Sequence, residues 1–215
     1  MEFEQVLRGR RSIRAFRDDP VPQKVVREIL DAARWAPSWG NSQAWNVIVV
    51  SGPTLSGLEV SVSAQVATGD PSRSDIPMPH EWPAHLKKRM NIRRPASENA
   101  PQPAATGPSV WEAWGAPTLL LFAVDERLPS EYACFDAGLL VQSVCLAAHD
   151  KGLGTCIEAM MVRYPHVLHE LLPDAAHLRF VVGVALGYPD ELSPANSISR
   201  ERIEIDEFVS WADQL

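Results

Sequence analysis

The chain has 215 residues, 46% apolar and 22% charged, with a formal net charge of −7. That suits a single globular domain over 1–215 and excludes a disordered or collagen-like chain, while the acidic balance argues against a nucleic-acid surface, which needs a broad excess of lysine and arginine. Cys134, Cys145 and Cys156 are too few and too irregularly spaced for a disulfide framework or a zinc site, and no apolar leader follows Glu2 and Glu4. The longest apolar run, near 117–124, is far short of a membrane span. A soluble, cytoplasmic protein with reduced thiols and no membrane or nucleic-acid partner is expected.

Phe3, Val6 and Leu7 share one helical face, and Gly9 is placed to end that helix so that the next residues emerge as a loop. This loop, Arg10-Arg11-Ser12-Ile13-Arg14-Ala15-Phe16, packs three arginines and a serine into five positions. Guanidinium groups offer fixed, forked donors that match phosphate oxygens and stay charged, so the cluster reads as an anion-docking point. Pro22 suits a first helical position, followed by an apolar stripe of Val25, Val26, Ile29, Leu30 and Ala33 that Pro37 closes. Next comes Pro37-Ser38-Trp39-Gly40-Asn41-Ser42-Gln43-Ala44-Trp45, dense in amides and hydroxyls. Asn41 and Gln43 each present a donor and an acceptor, which suits a ligand with a mixed hydrogen-bonding edge.

A strand is expected over 45–50 and a weaker helix through Leu55, Leu58 and Val62. From about 70 to 108 the composition shifts, with eight of the eighteen prolines interleaved with His80, Trp82, His85 and Lys87-Lys88-Arg89. This excursion, with a short helix near 82–90, is either a lid over a site or a partly disordered insertion. Beyond it the pattern predicts a buried strand at 117–124, a long helix over 132–151, a short strand at 155–157, a helix at 165–172 and a strand at 180–186. In the long helix Gly138 and the alanines leave room for another helix to approach. Phe208 and Trp211 are available for packing, and Trp39, Trp82, Trp111 and Trp114 flank the amide-rich loop or the excursion. Helices and strands do not alternate strictly, so an α+β layer fold is expected rather than a doubly wound sheet.

Near the end, Arg200-Glu201-Arg202 alternates so that both guanidinium groups fall on one side of an extended stretch. Together with Arg10 to Arg14 they would cage one dianionic phosphate. His166 and His169 lack a neighbouring carboxylate motif and are not read as metal ligands; no metal site is expected. Gly152-Leu153-Gly154 follows a helix and lacks a third glycine, so it is not a dinucleotide fingerprint.

These motifs, in this order and joined by Gly152-Leu153-Gly154-Thr155, resemble the nitroreductase family of FMN-dependent oxidoreductases over residues 1–52 and 116–210. The resemblance implies a mixed, largely antiparallel sheet flanked by helices, in an intertwined homodimer with FMN at the subunit interface. It implies FMN contacts from Arg10, Arg11, Ser12 and Arg14, and from Pro37, Ser38, Trp39, Asn41 and Gln43, partly from the partner subunit. Ile157-Glu158-Ala159 would turn its backbone to the ring near N5, and Arg200 and Arg202 would close over the phosphate. Ala44 and Ala159 stand where the family commonly has proline and glycine. The implied activity is hydride transfer from NADH or NADPH through FMN to a nitroaromatic, quinone or related small-molecule acceptor by a ping-pong route. Arg14 would stabilise the negative charge that reduction places on the flavin. The alternatives are enone reduction, reductive dehalogenation or flavin consumption on the same scaffold, or a non-catalytic flavin-binding module.

Overall fold

The computed structural model describes residues 1–79, 81–91, 110–198 and 200–212. His80 and residues 92–108 of the proline-rich excursion lie outside the described residues. The frame is a sheet of β1 (Trp45–Ser51), β2 (Thr118–Asp125), β3 (Gly154–Glu158) and β4 (Leu178–Gly187), in spatial order β1-β2-β4-β3. All three strand pairings are antiparallel, and a bridge from Ser12 to Thr155 adds one parallel link.

The apolar run of β2 is buried at every position from Thr118 to Val124, as expected of a strand covered on both faces. On one face Leu119, Leu121 and Ala123 pack with Cys156, Phe180 and Ala185 under α3 (Gly52–Ala67) and α6 (Pro165–Leu171). On the other, Leu120, Phe122, Val184 and Leu186 meet α2 (Gln23–Ala33) and α5 (Ser130–Asp150). The stripe predicted for α2 supplies Val26, Ile29 and Ala33, and that of α5 supplies Leu140, Val141, Val144 and Ala148. Among the described residues α5 is the helix long and apolar enough to cross a membrane, yet these positions form the protein core. The remaining helices are α1 (Phe3–Gly9) and α4 (Ala84–Asn91).

Several local expectations need correction. Pro22 is the N-cap of α2 instead of its first helical residue. α1 does end at Gly9, as expected, with Arg10 as its C-cap, and the missing side chain also serves close packing, since a Cβ there would clash with His149 Nε2. Gly154 is similar, since a Cβ would come within 2.7 Å of Ile13 Cγ1. A Cβ at Gly138 would meet nothing within 4 Å among the described residues, so the room left there stays open within one chain, and Phe135 on the same face of α5 is 64% exposed. Phe3 and Leu7 are exposed as well, leaving Val6 as the buried residue of α1. Phe208 and Trp211 are also left exposed. The weak helix of 55–62 extends to all sixteen residues of α3. Arg200 and Arg202 lie in irregular chain, so strand alternation does not bring them together.

Candidate functional site

Arginines from both ends of the chain converge. Arg10, Arg11, Ser12 and Arg14 line a hollow of about 320 Å³ together with Arg200, Glu201 and Arg202. Arg89 and Met90, from the last turn of α4, complete the lining with Ile198. Six arginines thus face one space whose lining, among the described residues, holds a single acid. Arg89 is 3.6 Å from Glu207 and Arg11 is 3.7 Å from Glu191, whereas Arg10 and Arg202 have no ion-pair partner among the described residues. The crowding registers in nearby bases. Burial, reinforced by Arg10, Arg202 and Arg11, lowers the Arg200 pKa, and burial with Arg200, Arg10 and Arg11 lowers that of His149. An anion in the hollow would relieve this repulsion.

The arginine loop is pinned along its length. Ile13 N–H donates to Thr155 O at 2.9 Å, and Arg17 N–H donates to Tyr188 O at 2.9 Å. Between them Asn196, 4% exposed, accepts from Arg14 N–H at 2.7 Å and donates to Ala15 O at 2.8 Å and Asp190 O at 2.9 Å. Nothing in the sequence singled out Asn196 or Arg89. The guanidinium of Arg200 donates to the carbonyls of Arg8, Gly9 and Arg10 at the C-terminal end of α1. It therefore satisfies open helix carbonyls and holds the backbone that carries Arg10, leaving Arg10, Arg202 and Ser12 better placed to bind an anion.

Arg14 leads from the hollow into a second cluster, its Cζ standing 5.8 Å from the centroid of the Trp114 ring. Cys156 and Glu158 face this side of the sheet, while Ile157 points to the opposite face and is 41% exposed. Ala159, half-buried, follows in the turn beyond β3. Glu158 is 5% exposed, and neither carboxyl oxygen has a hydrogen-bond partner among the described residues; the indole Nε1 of Trp114 is likewise buried and without a hydrogen-bond partner among them. Burial raises the Glu158 pKa to about 8; the neighbouring Trp114 N–H opposes that rise without reaching hydrogen-bonding geometry, and Glu59 adds to it. The Cys156 thiol is pushed up to about 11 by burial, against the pull of Arg14. All three cysteines are free thiols.

The amide-rich loop lies elsewhere. Asp136 of α5, 4% exposed, accepts Trp39 N–H at 3.0 Å through Oδ2, and the Ser38 hydroxyl accepts Gln43 N–H at 2.9 Å. Asn41 and Gln43 sit at φ 58 and 50, a left-handed pair that a pinned loop can sustain. Trp39, 68% exposed, packs its ring 4.9 Å from that of Tyr132. The register sets this loop far from the hollow. Ser12 bridges Thr155, opposite Leu186 and then Thr118 at the start of β2, whereas Trp45 pairs with Val124 six residues along. At about 3.4 Å per residue the separation is roughly 20 Å before the sheet width is counted. Within one chain, then, Pro37, Ser38, Trp39, Asn41 and Gln43 do not reach the space that the arginines enclose.

The nitroreductase family profile matches residues 7–188, running through the excursion where the sequence motifs gave no alignment. The chain is 30% identical over 214 residues to a 4-nitrobenzoate reductase of Pseudomonas putida, covering 94% of this chain and 91% of that protein. It is also 30% identical to a chloronitrobenzene nitroreductase of Comamonas testosteroni, covering 99% and 97%. Among solved structures, the FMN and NADPH-dependent nitroreductase NfnB from Sphigopyxis sp. strain HMH superposes with a TM-score of 0.87 at 25% identity, covering 98% of this chain and 99% of that one. The chain belongs to the nitroreductase family, as its ordered motifs imply, and is an oxidoreductase.

Proposed function

We propose that this protein is a soluble, cytoplasmic FMN-dependent NAD(P)H oxidoreductase that reduces nitroaromatic or related acceptors as a homodimer, with one domain over 1–215. The observation that carries the reading is the hollow lined by six arginines, whose mutual repulsion a phosphate dianion would quench. The residues fit the FMN tail: Arg10 and Arg202 offer guanidinium groups without ion-pair partners among the described residues, and Ser12 adds a hydroxyl. Arg89 of α4 adds a further guanidinium to the lining. Arg11 supplies further positive charge, and Arg200 holds the loop that carries Arg10. When bound, FMN supplies two-electron transfer between a nicotinamide donor and an acceptor.

Arg14 stands where the hollow meets Trp114 and would offset negative charge on the reduced ring. Ile157, Glu158 and Ala159 would border the same ring. The homodimer explains two otherwise idle features. The face of α5 carrying Phe135 and Gly138 lies uncovered, and the 37–43 loop sits too far away to serve its own chain's hollow. Across a two-fold interface that loop would bring Pro37, Ser38, Trp39, Asn41 and Gln43 to the partner's FMN. Donor and acceptor then use one open face in turn, in ping-pong order. The names of the relatives support a nitroarene as acceptor.

The test is an anaerobic titration of the purified protein with NADPH or NADH. A flavin band that bleaches on donor addition and returns with 4-nitrobenzoate is the expected result. A band that persists would identify a flavin-binding module without turnover, and no band would remove the cofactor assignment.

A further inference from the structure

The hollow and its arginines leave the carboxyl of Glu158 unused. It is a carboxyl with both oxygens buried and without a hydrogen bond among the described residues, beside an indole N–H in the same state. Such a group is costly to retain, and costlier still if it ionises. Its neighbours offer an ionised form little compensation: the Trp114 N–H would favour it but falls short of hydrogen-bonding geometry. β3 contributes Cys156, α3 contributes Glu59, the segment before β2 contributes Trp114 with Glu112 acting beyond Glu59, and β4 pairs Gly183 opposite Glu158. The charged group bearing directly on it is Glu59, an acid whose own pKa is raised by burial and by Glu112. The connection to the hollow is short, since Trp114 lies between Glu158 and Arg14, and Arg14 lines the hollow.

We propose that the Glu158 carboxyl is a redox-linked proton site, a buried acid that holds its proton more firmly once the cofactor beside it carries two extra electrons. The inference rests on the reading that the arginine hollow holds FMN. Hydride transfer from the nicotinamide donor delivers two electrons and one proton to the cofactor and leaves the donor oxidised. With the ring placed beside Ile157, Glu158 and Ala159 as proposed, the negative charge gained would lie next to the buried Glu158, so a Glu158 carboxylate would become harder to sustain and would take a second proton from solvent. No other group changes oxidation state. In solution alkaline enough to ionise Glu158 in the oxidised protein, reduction therefore consumes two protons per two electrons in place of one. The window opens just above pH 8, where the resting carboxyl titrates.

The experiment is a spectroelectrochemical titration of the holoenzyme at a series of pH values, comparing wild type with Glu158→Gln. Wild type is expected to show a steeper fall of midpoint potential in that window, twice the slope of Glu158→Gln, which keeps one proton per two electrons throughout. Equal slopes in the two proteins, both loaded with FMN, would overturn the proposal while leaving the cofactor assignment intact. A protein that binds no FMN would instead remove the reading beneath it. Glu59→Gln supplies an independent arm: without its like charge the steep window moves to lower pH, and a window that stays put contradicts the assignment. In apoprotein, infrared spectroscopy should show a buried neutral carboxyl band that persists above pH 7 and vanishes in Glu158→Gln; its absence from wild type would equally defeat the proposal.

Discussion

The Arg10→Ala/Arg202→Ala double variant is expected to lose its FMN. Neither side chain has an acidic partner among the described residues, so neither is needed to neutralise a charge within the fold. Each charge-assisted contact to a phosphate contributes about 1.5–3 kcal/mol, so the pair is worth roughly 3–6 kcal/mol, or about 10²- to 10⁴-fold in affinity. Titration of apoprotein with FMN, followed by flavin fluorescence, reads this directly, and the wild-type affinity should itself weaken with salt. Stoichiometric FMN in the purified double variant would show that the hollow is not its phosphate site.

The second large effect concerns stability. Folding raises the Glu158 pKa from 4.5 to about 8, so the native state binds this proton more tightly than the unfolded chain does. That contribution is fully present below the unfolded value and is lost as pH rises through the folded one. The shift corresponds to at most about 5 kcal/mol across this interval. Denaturant melts of apoprotein should therefore show wild type losing stability from mildly acid to alkaline pH. Glu158→Gln, which cannot ionise, should be nearly flat over the same range and the more stable of the two above pH 8. Parallel curves would mean that the carboxyl gains compensation on ionising.

Much of this site was legible because guanidinium groups have few other reasons to cluster. Arg10, Arg14 and Arg202 could be paired from the sequence, and the structure sets them around one space. What the pattern could not supply are contacts between distant, individually ordinary residues. Asn196 looks like any turn residue until Arg14 and Ala15 arrive from 182 and 181 positions away. Asp136 sits within an apolar helical stripe, and only the fold shows that it ties down a loop 97 residues earlier. Arg89 lay in a stretch with no periodicity to place it. The secondary structure followed hydrophobic periodicity closely, yet periodicity cannot separate a core from an interface. Phe3 and Leu7 repeat at helical spacing and stay exposed, as Phe135 does. Arg200 was legible as a cation near a phosphate, but its role in holding helix carbonyls depends on where α1 ends.

The distance between the arginine hollow and the Trp39 loop has a genetic consequence. Each polypeptide would carry one half of two different catalytic centres, so damage to the halves segregates. Mixing Arg10→Ala/Arg202→Ala chains with chains disabled at Asp136 should produce heterodimers in which one centre collects both lesions and the other collects none. Two inactive homodimers would then regain up to half the turnover per heterodimer through subunit exchange, whereas a chain complete in itself would show no such rescue.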